Sequence, residues 1–410
     1  MKFREYDPSK DKEAVHRIWR EIGWIEKKKD DEAMDIFLEG GRNLVAEVNG
    51  EAECMVNTGS GTIRYLDEDL ALSAITGVAT SRVARKQGLA RRLAAHAVTR
   101  DAAEGAFVSL VGVFEQGYYN QLGFGNGSYD LWCAFDPAQL TVPEKCRVPK
   151  RITSDSWEVA HASRLARLRG HGACNLDAPQ QTRAEMLWSS NGFGLGYTDG
   201  PNGELTHHLW CDTEDVENGP YQVCWMTFRT REQFLELLAL LRNLGDQVRL
   251  VKLPEPQGIQ LQDFLKQPFK TQQVTKESKY ESKITASAYW QARICNLLGC
   301  LERTHLLGAS VRFNLVLTDP IEQFLEDDAP WRGVAGEYLV TLGPTSSAEP
   351  GSDASLPTLN ASVGAFTRMW LGVRPATGLA WTDELSGPQD LFEQLDRSLC
   401  LPEPKPDWDF

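Results

Sequence analysis

The passage from Ile75 to Arg92, ITGVATSRVARKQGLARR, restricts what this chain can fold into more than any other. A β-like run (Leu70, Leu72, Ile75, Val78) enters it, and a helical pattern (Leu89, Leu93, Ala94, Ala97) leaves it. Between them lies Arg85-Lys86-Gln87-Gly88-Leu89-Ala90, a basic turn with small residues at its fourth and sixth positions. Strand, glycine turn and helix together form an anion site, because the first N–H groups of a helix lack intrahelical partners and its dipole adds positive charge. Gly88 and Ala90 let the backbone approach a phosphate, while Arg85, Lys86 and Arg91 bring full charges. A solvated basic helix start is the alternative for these six residues taken alone. Neither G-x-x-x-x-G-K-[ST] nor G-x-G-x-x-G occurs, so the turn is not a P-loop or a dinucleotide fingerprint.

A chain of 410 residues holds two or three domains. Its net charge of −14 argues against nucleic acid as the main partner and suits a cationic substrate such as an amine. A basic turn in so acidic a chain is a local anion site. Nine cysteines without a C-x-x-C pair point to free thiols in a reducing compartment. His207-His208, the one histidine cluster, lies in a strand-like run, so no metal site is read. With neither a signal peptide nor an apolar run of about 18 residues, no membrane span is expected, and the expected location is the cytoplasm.

The pattern divides into three units: 1–145, 146–285 and 286–410. In the first, Lys2 to Tyr6 reads as a strand, and Ser9 as the cap of a helix with Val15, Ile18 and Trp19 on its apolar face. Asn43–Val48 and Glu51–Val56 read as strands joined by a hairpin at Asn49-Gly50. After the basic turn and its helix come strand Phe107–Val113, a helical turn at Tyr118–Leu122 and strand Tyr129–Phe135. The second unit shows a helix carrying Val159, Leu165 and Leu168, strands near Leu205–Trp210 and Tyr221–Phe228, a helix Glu232–Leu244 and strand Val248–Leu253. Its strand–helix order echoes the first unit without a basic turn between Phe228 and Glu232, which reads as a degenerate copy. The third unit opens on a helical pattern (Tyr289, Ile294, Leu297, Leu301) and continues with strands Val311–Leu317 and Val334–Leu342. A flexible loop at Gly343–Leu356 and helices near Ala361–Leu371 and Pro388–Cys400 follow. The tail from Pro402 to Pro406 is stiff, since proline fixes its own φ and pushes each preceding residue out of the helical region. It ends in Asp407-Trp408-Asp409-Phe410.

The basic turn, with Gly77-Val78-Ala79-Thr80 before it, resembles the acetyl-coenzyme A pyrophosphate loop and bulged strand of the GNAT N-acetyltransferases. The three-part layout and the tail resemble the Eis ("enhanced intracellular survival") family over the whole chain. The third unit's Leu315 to Pro320, the Trp370-Leu371-Gly372 step and the Trp408-Asp409-Phe410 end carry that likeness, as does Tyr118-Tyr119-Asn120-Gln121-Leu122-Gly123-Phe124-Gly125. The resemblance implies an α/β (α+β) fold: two tandem GNAT-type mixed-sheet domains, the second degenerate, then an α+β sterol-carrier-protein-like domain. It further implies a homo-oligomer, a hexamer.

By the same resemblance the catalytic tyrosine falls on Tyr119, with Tyr118 one residue out of register, and the terminal carboxylate of Phe410 takes the proton. Acetyl-CoA contacts fall on Val78, Ala79, Thr80, on Arg85, Lys86, Gln87, Gly88, Leu89, Ala90, Arg91, and near Phe114 and Glu115. Arg82 stands where relatives often carry proline. Acetyl transfer to an amine needs an acceptor for the ammonium proton, a donor to the oxyanion and an acid for the departing thiolate. A neutral phenol suits the last role, and a backbone N–H at Val78 the second. A terminal carboxylate, with an ordinary pKa of about 3.5, gains basicity through burial or through Asp407 and Asp409; Glu115 and Glu21 are the substitutes. Trp24, Glu26 and Asp409 are candidate contacts for the cationic acceptor, a polyamine, an aminoglycoside or a lysine side chain. The readings left open are a longer acyl donor and a lipid-binding protein with a vestigial GNAT unit.

Overall fold

The computed structural model describes residues 2–113, 115–268 and 275–409. Three sheets carry the fold, and two of them trade strands. The first runs β1 (Lys2–Glu5), β2 (Arg42–Val48), β3 (Glu51–Tyr65), β4 (Glu68–Thr80) and β5 (Val108–Gly112), followed by Trp290–Ile294 and Gly125–Asn126. The second contains Asp130–Phe135 between Lys283–Ser287 and Val251–Pro254. The third is five-stranded, centred on Val311–Thr318. Thus Asp130–Phe135, next to the first unit's last turn in sequence, pairs with the second unit. Trp290–Ile294, from beyond the second unit, completes the first sheet.

Local chemistry accounts for the elements around the cleft. The β2–β3 hairpin closes at Asn49 (φ 54°) and Gly50 (φ 91°), the left-handed pair that a two-residue turn needs. Helix α1 (Pro8–Ile22) is capped by Asp7, whose carboxylate accepts from the Ser9 N–H; Ser9, read as the cap, is the second helical residue. A helix unforeseen in the sequence, α2 (Lys28–Glu39), follows and buries Met34, Ile36, Phe37 and Leu38. The basic turn then delivers the chain into α3 (Leu89–Ala103), whose Leu93, Ala94 and Ala97 pack onto the first sheet.

Three sequence expectations need correction. The pattern Tyr289 to Leu301 is not one helix but strand Trp290–Ile294 and a short helix, Leu297–Glu302, because Trp290 to Ile294 are buried on both faces within a sheet. The stretch Gly343–Leu356 is not all loop, since Ser347–Pro350 pairs antiparallel with Gly336–Leu342. In the helix Trp157–Leu165, Val159 is exposed, as is Leu168 beyond it, while His161 and Arg164 are buried. The cause is what that face packs against: the Trp408 ring lies over Arg164 and beside His161.

The exchanged strand brings Arg293, fully buried, against Asp319 of the third unit at 2.5 Å, with both side chains inaccessible. The same guanidinium donates to the carbonyl of Leu122 and lies over Trp331. Removing one member of such a pair leaves an uncompensated buried charge. Arg293→Ala should therefore lower stability by about 3–5 kcal/mol, read from the urea midpoint. The double variant Arg293→Met/Asp319→Leu should lose less than either single change.

Candidate active site

At Thr76 the long β4 strand carries one residue more than β3 opposite it: Asn57 pairs with Gly77 and Thr58 with Ile75. The parallel pairing of β4 with β5 stops at this bulge, with Ile75 opposite Val111. From Gly77 to Thr80 the strand keeps its bonds to β3 only, and the edge that β5 would have covered is open. An extended, amide-bearing ligand can add itself to such an edge.

A cavity of about 350 Å³ lies there. Its floor is Ile75 to Val78 of β4 and Val111 to Val113 at the end of β5. Tyr119 and Tyr289 close one side, and Trp19, Trp24 and Phe37 of the α1–α2 region another. The rest comes from far along the chain: Gln181, Glu185 and Trp188 of the helix Pro179–Trp188, and Asp409 of the tail.

Tyr119 begins a 3-10 turn (Tyr119–Leu122) held at several points. Gln291 of the exchanged strand donates to Asn120 at 3.1 Å, Arg293 donates to the Leu122 carbonyl, and Gly123 ends the turn in the left-handed region (φ 81°). A Cβ at Gly123 would fall 2.5 Å from Val363, so glycine is required there twice over. Burial above all, with Tyr118 and Cys54 adding to it, holds the Tyr119 phenol well above its ordinary value. It stays protonated at neutral pH, as a proton donor must. Tyr118 is pushed up to about 12, also by burial, and does not line the cavity.

The basic turn stands beside the open edge. Gly88 (φ 74°) begins α3 with no side-chain cap, so the first N–H groups of the helix are left for a ligand. Lys86 also sits in the left-handed region (φ 61°), and Arg85, Lys86 and Gln87 are exposed. Arg91 is half-buried, donates to Gln121 and lies over the Phe324 ring, which ties the turn to the Tyr119 segment. Leu89 and Ala79 are core residues and offer only their backbone. Thr80 is half-buried and donates to Cys54 at 3.3 Å. Arg82 donates its backbone N–H, which a proline there would lack, to Glu21 at 2.6 Å. The strand edge, the uncapped start and the exposed charges fit a pantetheine arm and pyrophosphate. At the corresponding place in the second unit, Thr230 accepts from the Gln233 N–H and Gln233 from the Arg229 N–H, so that helix start satisfies itself.

The tail reaches the cavity by a fixed path. Pro404 and Pro406 carbonyls accept from Ser128 and Cys174, and Asp407 pairs with Arg167 at 2.6 Å. Trp408 is buried under the Arg164 guanidinium at 3.8 Å from its ring centre, and Arg164 in turn binds Glu185 at 2.5 Å. Burial pushes the Glu185 carboxyl up against the pull of Arg164.

Of the residues read from the sequence, Val78, Tyr119, Trp24 and Asp409 meet at the cavity. Glu26 and Glu115 are exposed and do not line it. Glu21 is engaged at Arg82. Phe114 and Phe410 lie outside the described residues. Gln181, Glu185 and Trp188 were missed, although their spacing of four and three puts them on one helical face. Helix α2, which brings Phe37 to the cavity, was missed as well. Asp199, His207 and Glu236 converge closely enough to hold an ion, but Arg147 already bridges the two carboxylates at 2.7 Å each. All nine cysteines are free, and among the described residues no helix is long and apolar enough to cross a membrane.

Residues 4–127 match the family described as acetyltransferase (GNAT) domain. Among solved structures, a conserved protein of unknown function from Enterococcus faecalis V583, described as a probable N-acyltransferase, superposes with a TM-score of 0.79 at 16% identity, covering 100% of this chain and 99% of that one. A GCN5-related N-acetyltransferase from Anabaena variabilis gives 0.77 at 12% identity and Eis1 from Mycobacterium abscessus 0.75 at 14%, each over 100% of both chains. These likenesses show a shared fold across the full length. A search of the curated proteins gives no match.

Two outcomes test the site. Lys86→Ala should weaken acetyl-CoA binding about 10-fold by calorimetry, the equivalent of one charge-assisted phosphate contact. The second concerns Asp130, beneath the tail, which burial raises to about 6; Lys405 pulls it down, while Asp409, Asp407 and Glu403 add to the rise. Its folded value exceeds its unfolded one, so its favourable contribution is present below about pH 4 and lost by about pH 6. Asp130→Asn should leave the melting temperature unchanged at pH 4 and raise stability above pH 6 by about 1–3 kcal/mol.

Proposed function

We propose that this chain, an acetyl-CoA-dependent acetyltransferase by its GNAT domain, moves the acetyl group directly onto an amine held in the 350 Å³ cavity. Acetyl-CoA supplies the thioester: its C–S bond breaks, a C–N bond forms, the ammonium gives up a proton and the thiolate gains one. The opened edge at Gly77–Thr80 and the basic turn from Arg85 to Arg91 would hold its pantetheine and pyrophosphate parts, with a Val78 N–H as donor to the oxyanion.

Tyr119 is the general acid in this reading. The observation that carries it is that a neutral, largely buried phenol shares one cavity with the bulged strand and the tail. The base is the terminal carboxylate of Phe410, the role that the family resemblance gives it. Its support is the tail's anchorage up to Trp408 and the position of Asp409 in the cavity wall. The acceptor carries a cation, in keeping with the rings and carboxylates around it. The Eis-like architecture, with its sterol-carrier-like third domain and hexameric assembly, belongs to the same proposal.

Tyr119→Phe removes the acid and little else. It should lower kcat for coenzyme A release about 10²–10⁴-fold while leaving acetyl-CoA affinity within about twofold. The same loss in Tyr118→Phe, with Tyr119→Phe active, would move the acid by one residue.

A further inference from the structure

One wall of the cavity is built of rings. Trp19 and Trp188 stack with centroids 6.1 Å apart, Phe37 meets them at 5.7 and 5.4 Å, and Trp24 stands edge-on to Trp19 at 5.1 Å. The described lining includes two carboxylates, Glu185 and Asp409. Glu185 is already neutralised by Arg164, which is itself pressed between the Trp408 and Trp225 rings. Asp409 has no ion pair among the described residues. Two donors in the same wall, Gln181 Nε2 and Trp188 Nε1, are buried with no hydrogen-bond partner among the described residues.

We infer that the acceptor is a monoamine with a flat apolar body and a hydroxyl or carbonyl oxygen close to the amine, an arylalkylamine or aromatic amino alcohol, rather than a polycation. The inference rests on the acetyl-transfer reading above. Each part of that molecule answers a feature of the wall. One ammonium meets one unengaged side-chain carboxylate and the face of a tryptophan. A ring lies in the cavity against the surface that Trp19, Phe37 and Trp188 turn to it, where edge and offset contacts are favourable. The oxygen accepts from Gln181 or Trp188, donors that are otherwise buried without a partner. A polyamine or aminoglycoside would bring further ammonium groups against rings and an already paired carboxylate, where their desolvation is unfavourable. In this scheme the terminal carboxylate removes a proton and does not serve as a standing counter-ion.

The test measures kcat/KM for coenzyme A release by the full-length protein with phenylalaninol, 2-phenylethylamine, spermidine and an aminoglycoside. Phenylalaninol should exceed spermidine and the aminoglycoside by at least about 10-fold. Trp188→Leu, with its fold checked by melting, should lower the phenylalaninol value about 10-fold through KM, with kcat kept and a smaller effect on spermidine. Gln181→Leu should remove the advantage of phenylalaninol over 2-phenylethylamine. Faster turnover of spermidine or the aminoglycoside than of both aromatic amines would overturn the inference and leave acetyl transfer standing. No turnover with any amine would overturn the acetyl-transfer reading itself. Calorimetry would then decide on the pocket: saturable phenylalaninol binding weakened by Trp188→Leu supports it, and no binding overturns it.

Discussion

The exchanged strand Trp290–Ile294 is the element on which the site depends. It lies between β5 and Gly125–Asn126, antiparallel to both. Its polar side chains are buried, and each has a task. Gln291 binds Asn120 within the Tyr119 turn and Asn126 beyond it, and Arg293 binds that turn's last carbonyl while paired to Asp319. The carbonyl of Tyr289, just before the strand, accepts from the Val113 N–H, and Tyr289 lines the cavity. One strand from 165 or more residues away thus holds the turn that presents the phenol. A one-residue slip would turn Gln291 and Arg293 to the other face and break these bonds, so the register of this strand leaves little freedom.

The reciprocal strand, Asp130–Phe135, locks the second unit to the first, and that unit gains a purpose apart from cofactor binding. Its helix Pro179–Trp188 packs on α2 and forms a cavity wall, and its helix Trp157–Leu165 supplies Arg164 to hold Trp408. A desolvated cation over an indole is worth about 2 kcal/mol. With the Asp407–Arg167 pair and the backbone bonds from Pro404 and Pro406, this is enough to keep a terminal segment from fraying. The prolines contribute by lowering the freedom that the tail loses on docking.

Short-range features were legible in the sequence because short-range physics makes them. Asn49-Gly50 can close only a tight hairpin, and the Gly88 turn can only join a strand to an uncapped helix. The tail's anchorage could be read in part from its prolines and aromatic residues, and Trp408 is buried under Arg164. What escaped was long-range. Nothing near Trp290 says that its strand belongs to a sheet begun at Lys2, and its two-sided burial imitates a helical pattern. His161 and Arg164 look like a polar face until Trp408 is laid against them. Glu185 and Trp188 look like surface until α2, itself missed for its lysine- and aspartate-rich start, is packed opposite.

Acetyl transfer is proposed to occur where the opened strand, the Tyr119 turn and Asp409 of the tail share one cavity. The most direct measurement compares coenzyme A release by the untagged chain with that by a chain ending at Asp409, alongside acetyl-CoA affinity for each. With Phe410 as the base, kcat collapses in the shortened chain, by about 10²-fold or more, while acetyl-CoA binds as before. Equal turnover in the two would contradict it, removing the terminal carboxylate from the chemistry.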